Sequence, residues 1–102
     1  MKPTNQHQKN AIFFTALSHK RRQMLCEILL LSGAKGMPFG VLQSQSGLKV
    51  STLTHHLRFM DQSGILVKRQ KGNENWISID LSRLTALTKE LGGFVSRIAT
   101  NL

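Results

Sequence analysis

Acidic side chains, cysteine and tyrosine are scarce in this chain: five Asp and Glu, one cysteine and no tyrosine among 102 residues. Each scarcity excludes something. A single cysteine, Cys26, rules out an intrachain disulfide and a multi-cysteine zinc site. Five acids leave little material for an enzyme, and there is no paired carboxylate set, glycine-rich phosphate loop, or nucleophile with a base and an orienter. Without tyrosine and with few aromatics, the stacking platform of a single-strand nucleic-acid binder is a poor fit. Apolar runs such as Ile28 to Leu31 are far too short to span a bilayer. Residues 1–10, MKPTNQHQKN, are polar and lack the apolar segment of a signal peptide. Together these features predict a cytoplasmic protein with no membrane partner and no cofactor.

What is abundant is positive charge. Fourteen Lys and Arg give a net charge of +9, which on so small a domain favours a polyanionic partner. A hydrophobic content of 40% and a charged fraction of 19% suit an ordinary folded domain rather than a disordered chain. No internal repeat, low-complexity segment or linker divides it, so residues 1–102 read as one domain, with 1–7 as a flexible N-terminal tail.

The hydrophobic pattern predicts helix, helix, helix, helix, β-hairpin, helix. Ile12, Phe13 and Leu17 mark a first helix over about residues 8–17. Ser18 is positioned to cap a second, SHKRRQMLCEILLLSG, which Gly33 ends. Its HKRR start is read as solvent-facing cations, and Cys26 among apolar neighbours as an inert core thiol. Pro38 suits the first turn of a third helix that carries Val41 and Leu42 and ends near Gly47. The stretch ILVKRQKGNENWISID alternates and turns at KGNE, a hairpin over about residues 65–79 with Trp76 as a packing residue. Asp80 caps a last helix bearing Leu84, Leu87, Leu91, Phe94 and Ile98, interrupted by the helix-weakening pair Gly92-Gly93.

The fourth helix, within STLTHHLRFMDQSG, has two unlike faces. Around Leu53, Leu57 and Met60 fall within about 40° and Val50 lies about 60° away. Ser51, Thr54, His55, Arg58 and Gln62 share an arc of about 100° on the opposite side, which contains no acid. The adjacent His55 and His56 point about 100° apart, so they cannot easily converge on one metal ion. His55 belongs to the polar face, as a DNA contact or a solvated surface residue; His56 sits at the apolar edge and reads as a structural residue. A short helix, a glycine turn and such an amphipathic helix form a helix-turn-helix, and the following hairpin, with Lys68, Arg69 and Lys71, forms a wing. The fold class is therefore mainly α with a small β-hairpin, a winged helix-turn-helix. Hydrogen-bonding groups for base edges stand beside cations for phosphates; the competing reading of the wing cations is a solvated strand edge that prevents aggregation.

From about Phe14 to Leu87 the sequence resembles the ArsR family of winged-helix repressors. The resemblance is carried by ALSHKRRQMLCEIL and by GLKVSTLTHHLRFMDQSGILVKRQKGNENWISI. It implies reading-helix contacts at Val50, Ser51, Thr54 and His55, with Arg58 nearby, and a homodimer built from the first and last helices. The apolar residues offered there are Ile12, Phe13, Leu17, Leu84, Leu87, Leu91, Phe94 and Ile98. The chain departs from the family at Lys49, where a helix-capping Ser is frequent, and at His19-Lys20, where Asp-Pro is common. The metal chemistry of the family does not carry over. Pro38 and Gly40 occupy the place of its Cys-x-Cys pair, and the last helix has one Glu and no His. The implied protein is a homodimeric, double-stranded DNA-binding repressor without a metal site, its small-molecule or protein effector unidentified. The alternative is a winged-helix protein-assembly module.

Overall fold

The computed structural model describes residues 1–101, in the order α1 (Asn5–Leu17), α2 (Lys20–Leu31), β1 (Met37–Pro38), α3 (Phe39–Ser46), α4 (Val50–Gln62), β2 (Leu66–Lys71), β3 (Glu74–Ile79) and α5 (Leu81–Thr100). The predicted order of four helices, hairpin and helix is present, with one added strand.

Local hydrogen bonding sets the helix boundaries. At the start of α1 the Thr4 hydroxyl accepts from the His7 amide at 3.2 Å while His7 Nδ1 accepts from the Thr4 amide at 2.9 Å. This reciprocal cap begins the helix at Asn5, so residues 5–7, expected in the tail, form its first turn. The cap of α2 is His19 rather than Ser18. Ser18 retains helical dihedrals (φ −76°, ψ −18°) at the end of α1, whereas His19 is extended, as a cap requires, and its Nδ1 accepts from the Arg21 amide at 3.0 Å. Asp80 caps α5 as expected, its Oδ1 accepting from the Arg83 amide at 3.0 Å. α5 continues through Gly92-Gly93 to Thr100.

The added strand is β1. Met37 pairs with Ile77 and Pro38 with Trp76, giving an antiparallel sheet ordered β1-β3-β2. Pro38 is thus extended and precedes α3 rather than lying in its first turn. A proline has no amide hydrogen to give a ladder, which an edge strand tolerates. Gly36 lets this strand approach: a Cβ there would lie 2.0 Å from the Ile77 carbonyl oxygen. Gly47, at φ 70°, ends α3 in the left-handed conformation and makes the turn into α4.

Leu25, Leu29, Leu42, Leu53, Met60 and Ile65 are fully buried, so α2, α3, α4 and the start of the sheet share one core. α1 packs chiefly on α4. α5 is different. Of its 20 residues only Leu87 is buried, while Val95 and Ile98 remain 54% and 47% exposed. The molecule is 51 Å long against 24 and 19 Å in its other directions. Its radius of gyration, 15.3 Å, exceeds the roughly 13 Å of a compact domain this size.

Candidate nucleic-acid interface

α4 buries Leu53, His56, Leu57 and Met60 and exposes Val50, Ser51, Thr54, His55, Arg58 and Gln62. The apolar stripe anchors the helix, and the opposite face projects the predicted contact set. Val50 lies at the first turn, 53% exposed. Lys49, in the capping position, makes no side-chain cap, so the departure from the frequent serine leaves the first-turn amides without a local acceptor. The one acid of α4, Asp61, lies toward the sheet.

The wing comes from a tight hairpin in which Lys68 pairs with Ile77, Arg69 with Trp76 and Lys71 with Glu74. Lys68, Arg69 and Lys71 are all exposed, but they differ in surroundings. Lys68 Nζ lies 3.0 Å from Asp61 Oδ2, an exposed pair that ties the wing to α4. Such a pair contributes about 0–1 kcal/mol, so a phosphate can compete for the lysine. Lys71 Nζ lies 4.3 Å from the centre of the Trp76 ring.

Between α4 and the sheet lies an open cleft of about 570 Å³, with Phe39, Thr54, Arg58, Lys68, Arg69 and Trp76 in its wall. Trp76 is more than hairpin packing. Half-buried, its ring has Lys71 and also Lys35 as cationic neighbours, Lys35 Nζ at 5.4 Å, and its indole N–H is buried without a hydrogen-bond partner. Sequence reading missed Lys35. It stands alone in a loop, and only the two-residue strand β1, too short to leave a periodic signal, carries that loop to Trp76.

The HKRR segment also differs from its reading. Lys20 and Arg21 are exposed, but Arg22 is buried, its guanidinium 4.4 Å from the centre of the Phe59 ring. Arg22 Nε donates to His56 Nδ1 at 3.2 Å, and Nη1 donates to the Thr15 carbonyl. His56 is therefore the structural histidine it was read to be, 5% exposed. Burial pushes its pKa below the ordinary histidine value, and neighbouring His19, Arg22, His55 and Arg21 act in the same direction. Cys26 is buried and unpaired, and burial raises its thiol pKa, which suits an inert core thiol. Among the described residues no group of three or more His, Cys, Asp or Glu is placed to hold a metal ion. No described helix is long and apolar enough to cross a membrane.

The residues named for a dimer divide into two kinds. Phe13 and Leu87 are 7% and 5% exposed and belong to the core of their own chain, so they have little surface to offer. Ile12, Leu17, Leu84, Leu91 and Phe94 are half-buried, and Ile98 is exposed. Phe14, on the neighbouring face of α1, is 58% exposed and was absent from the predicted set.

Five helices, a glycine turn into a helix with an exposed polar face, and a basic antiparallel wing define a winged helix-turn-helix domain. No family model and no curated protein matches the sequence. Solved structures do match in fold. An ArsR-like transcriptional regulator from Rhodococcus has a TM-score of 0.75 at 17% identity, over 96% of this chain and 90% of that one. NolR from Sinorhizobium fredii has 0.67 at 21%, over 94% and 95%. A homodimeric winged helix-turn-helix DNA-binding domain from Mycobacterium bovis has 0.65 at 21%, over 84% and 80%. The fold of this chain is the fold of ArsR-family transcriptional regulators.

Proposed function

We propose that the protein is a sequence-specific, double-stranded DNA-binding transcriptional regulator of the ArsR type. The supporting observation is the juxtaposition on one surface of an acid-free polar face, Ser51, Thr54, His55 and Arg58, with the wing cations Lys68, Arg69 and Lys71. In this reading α4 enters the major groove, where Ser51, Thr54 and His55 approach base edges. Arg58 serves guanine or phosphate, Val50 touches the groove at the helix start, and the wing cations neutralise flanking phosphates. His55 offers a donor to a guanine or thymine acceptor, or to phosphate.

The functional unit is a homodimer through α1 and α5, and two reading helices call for an inverted repeat with half-sites about 34–36 Å apart. The uncovered apolar face of α5 and exposed Phe14 support that assembly, and one structurally similar domain is described as homodimeric. Its action is repression by occluding a promoter in the cytoplasm, under an effector that is not a metal held within one subunit.

The test is a gel-shift against genomic fragments at physiological salt, followed by footprinting of the retained fragments. Selective retention of fragments sharing an inverted repeat is the expected result. Uniform weak retention of all fragments would instead favour a protein-assembly module whose basic face serves solubility.

A further inference from the structure

Arg22 is a buried cation, and among the described residues no carboxylate pairs with it; the ion pair there is Lys68–Asp61. Its hydrogen bonds go instead to the Thr15 carbonyl at the end of α1, to the Ser18 hydroxyl at 3.4 Å and to His56 Nδ1 on α4, and Phe59 of α4 lies under its guanidinium. One side chain of α2 thereby joins three helices, including the reading helix.

The chemistry of that junction depends on one proton. A guanidinium only donates and does not lose its charge in proteins, so Nδ1 of His56 must be the acceptor and cannot carry hydrogen. The pair exists only while the imidazole is neutral. The groups facing His56 offer no remedy once it is charged. From α2 and its cap there are Arg22, Arg21 and His19, whose ring centre is 4.8 Å away; from α4 there is His55, at 5.7 Å; on α1 the Thr15 carbonyl already accepts from Arg22. Among the described residues the ionisable groups acting on His56 are arginines and histidines, with no acid among them.

Building on the DNA-binding reading, we propose that Arg22 and His56 form a proton-released staple: the neutral pair holds α4 in its reading orientation, and protonation of His56 parts the pair and loosens that helix. His56 is a positioning residue here, since its buried side chain is unavailable to DNA. The sign of the pH effect follows from its lowered pKa. As pH falls, the unfolded chain takes up this proton before the folded chain does. The stability from the neutral pair is complete above about pH 6.5 and is lost as pH falls from there through the folded value. In DNA binding the same release predicts a loss of affinity in acid, and His55, exposed on the same helix, is varied apart from His56 so that the loss is read from His56 alone.

His56→Gln separates them, because a glutamine carbonyl accepts from Arg22 without titrating in this range. Melting temperature without DNA, the imidazole nitrogen resonances of His56, and affinity for a selected duplex at constant salt are measured from about pH 7.5 to about pH 5.5, the window in which histidine changes charge. The melting temperature of the native chain should fall more steeply with acid than that of H56Q. The native His56 Nδ1 should be unprotonated at neutral pH and titrate below the ordinary histidine range. H55Q should keep an acid loss of affinity, by up to about tenfold per pH unit in that window, whereas the double variant H55Q/H56Q should lose it. Parallel melting curves for native and H56Q, or a protonated Nδ1 at neutral pH, would overturn the staple. Equal acid losses of affinity in H55Q and H55Q/H56Q would overturn its coupling to DNA. Should H56Q fail to fold, the nitrogen titration of the native chain decides the staple alone. Absence of DNA binding by every chain would instead defeat the DNA-binding reading, because melting and nitrogen resonances report the staple without DNA.

Discussion

α4 and α5 carry the same kind of sequence pattern and meet different fates. Each has apolar residues at three- and four-residue spacing along one side. α4 closes its stripe inside the chain, with Leu53 and Met60 wholly buried and the stripe backed by α1 and α2. α5 buries Leu87 and leaves Val95 and Ile98 about half exposed. A periodic stripe therefore reveals that a helix has a side to cover, not which chain covers it. In α4 the covered side anchors the helix and leaves a polar face exposed; in α5 much of the apolar side itself stays exposed.

The largest expected effect breaks α4 from within. Leu53→Ala removes a fully buried side chain and should cost about 2–5 kcal/mol of stability, read from denaturant unfolding. A cost below that of an exposed-site alanine would mean that α4 is not anchored as described. The corresponding change on α5 is Ile98→Asp, which should leave the protomer folded while weakening self-association. Loss of about 1.5–3 kcal/mol, the worth of a buried aliphatic side chain, corresponds to roughly tenfold or more in the dimer constant. Sedimentation at micromolar concentration checks it, and a native chain already monomeric there would remove the dimer from the proposal.

On the exposed side of α4, Arg58→Ala should cost about 1–3 kcal/mol on the preferred sequence if Arg58 is bidentate to guanine. Its effect on random duplex should be smaller. Lys71→Ala, in contrast, should weaken all sequences alike and reduce the salt slope by about one for each phosphate it no longer neutralises. Binding measured on both duplexes across a salt series checks the division; a change of sequence preference from Lys71→Ala would reverse the roles. The smallest effect is reserved for Asp61→Asn. It frees Lys68 from an exposed pair worth about 0–1 kcal/mol and should slightly strengthen binding to every duplex. Weaker binding would show that Asp61 positions Lys68 for DNA rather than competing with it.

The order of the five helices and the hairpin, the apolar stripe of α4 and the charge of the wing were all legible in the sequence, because period and composition are local properties. The features that escaped reading arise where elements meet. Ser18 has a favourable capping side chain, but the end of α1 holds its backbone helical and the role passes to His19. Arg22 lies in a cationic run that looks solvated, yet α1 and α4 close over it and supply a carbonyl, an imidazole and a ring. Phe13 and Phe14 are neighbours of equal hydrophobicity; only the packing of α1 sends one inward and leaves the other 58% exposed.

By itself the sequence determined that this is a small basic domain of five helices and a hairpin, with an acid-free polar face beside a cationic turn. Periodicity and side-chain chemistry act over a few residues, and nothing distant is needed to read them. Tertiary structure alone decided that Met37 and Pro38 become a third strand, that Lys35 comes to Trp76, that Lys68 is tied to Asp61, and that Arg22 joins His56 across 34 positions of chain. Those contacts depend on how helices and sheet are packed in space. The same packing makes His56 a buried acceptor while its sequence neighbour His55 faces solvent.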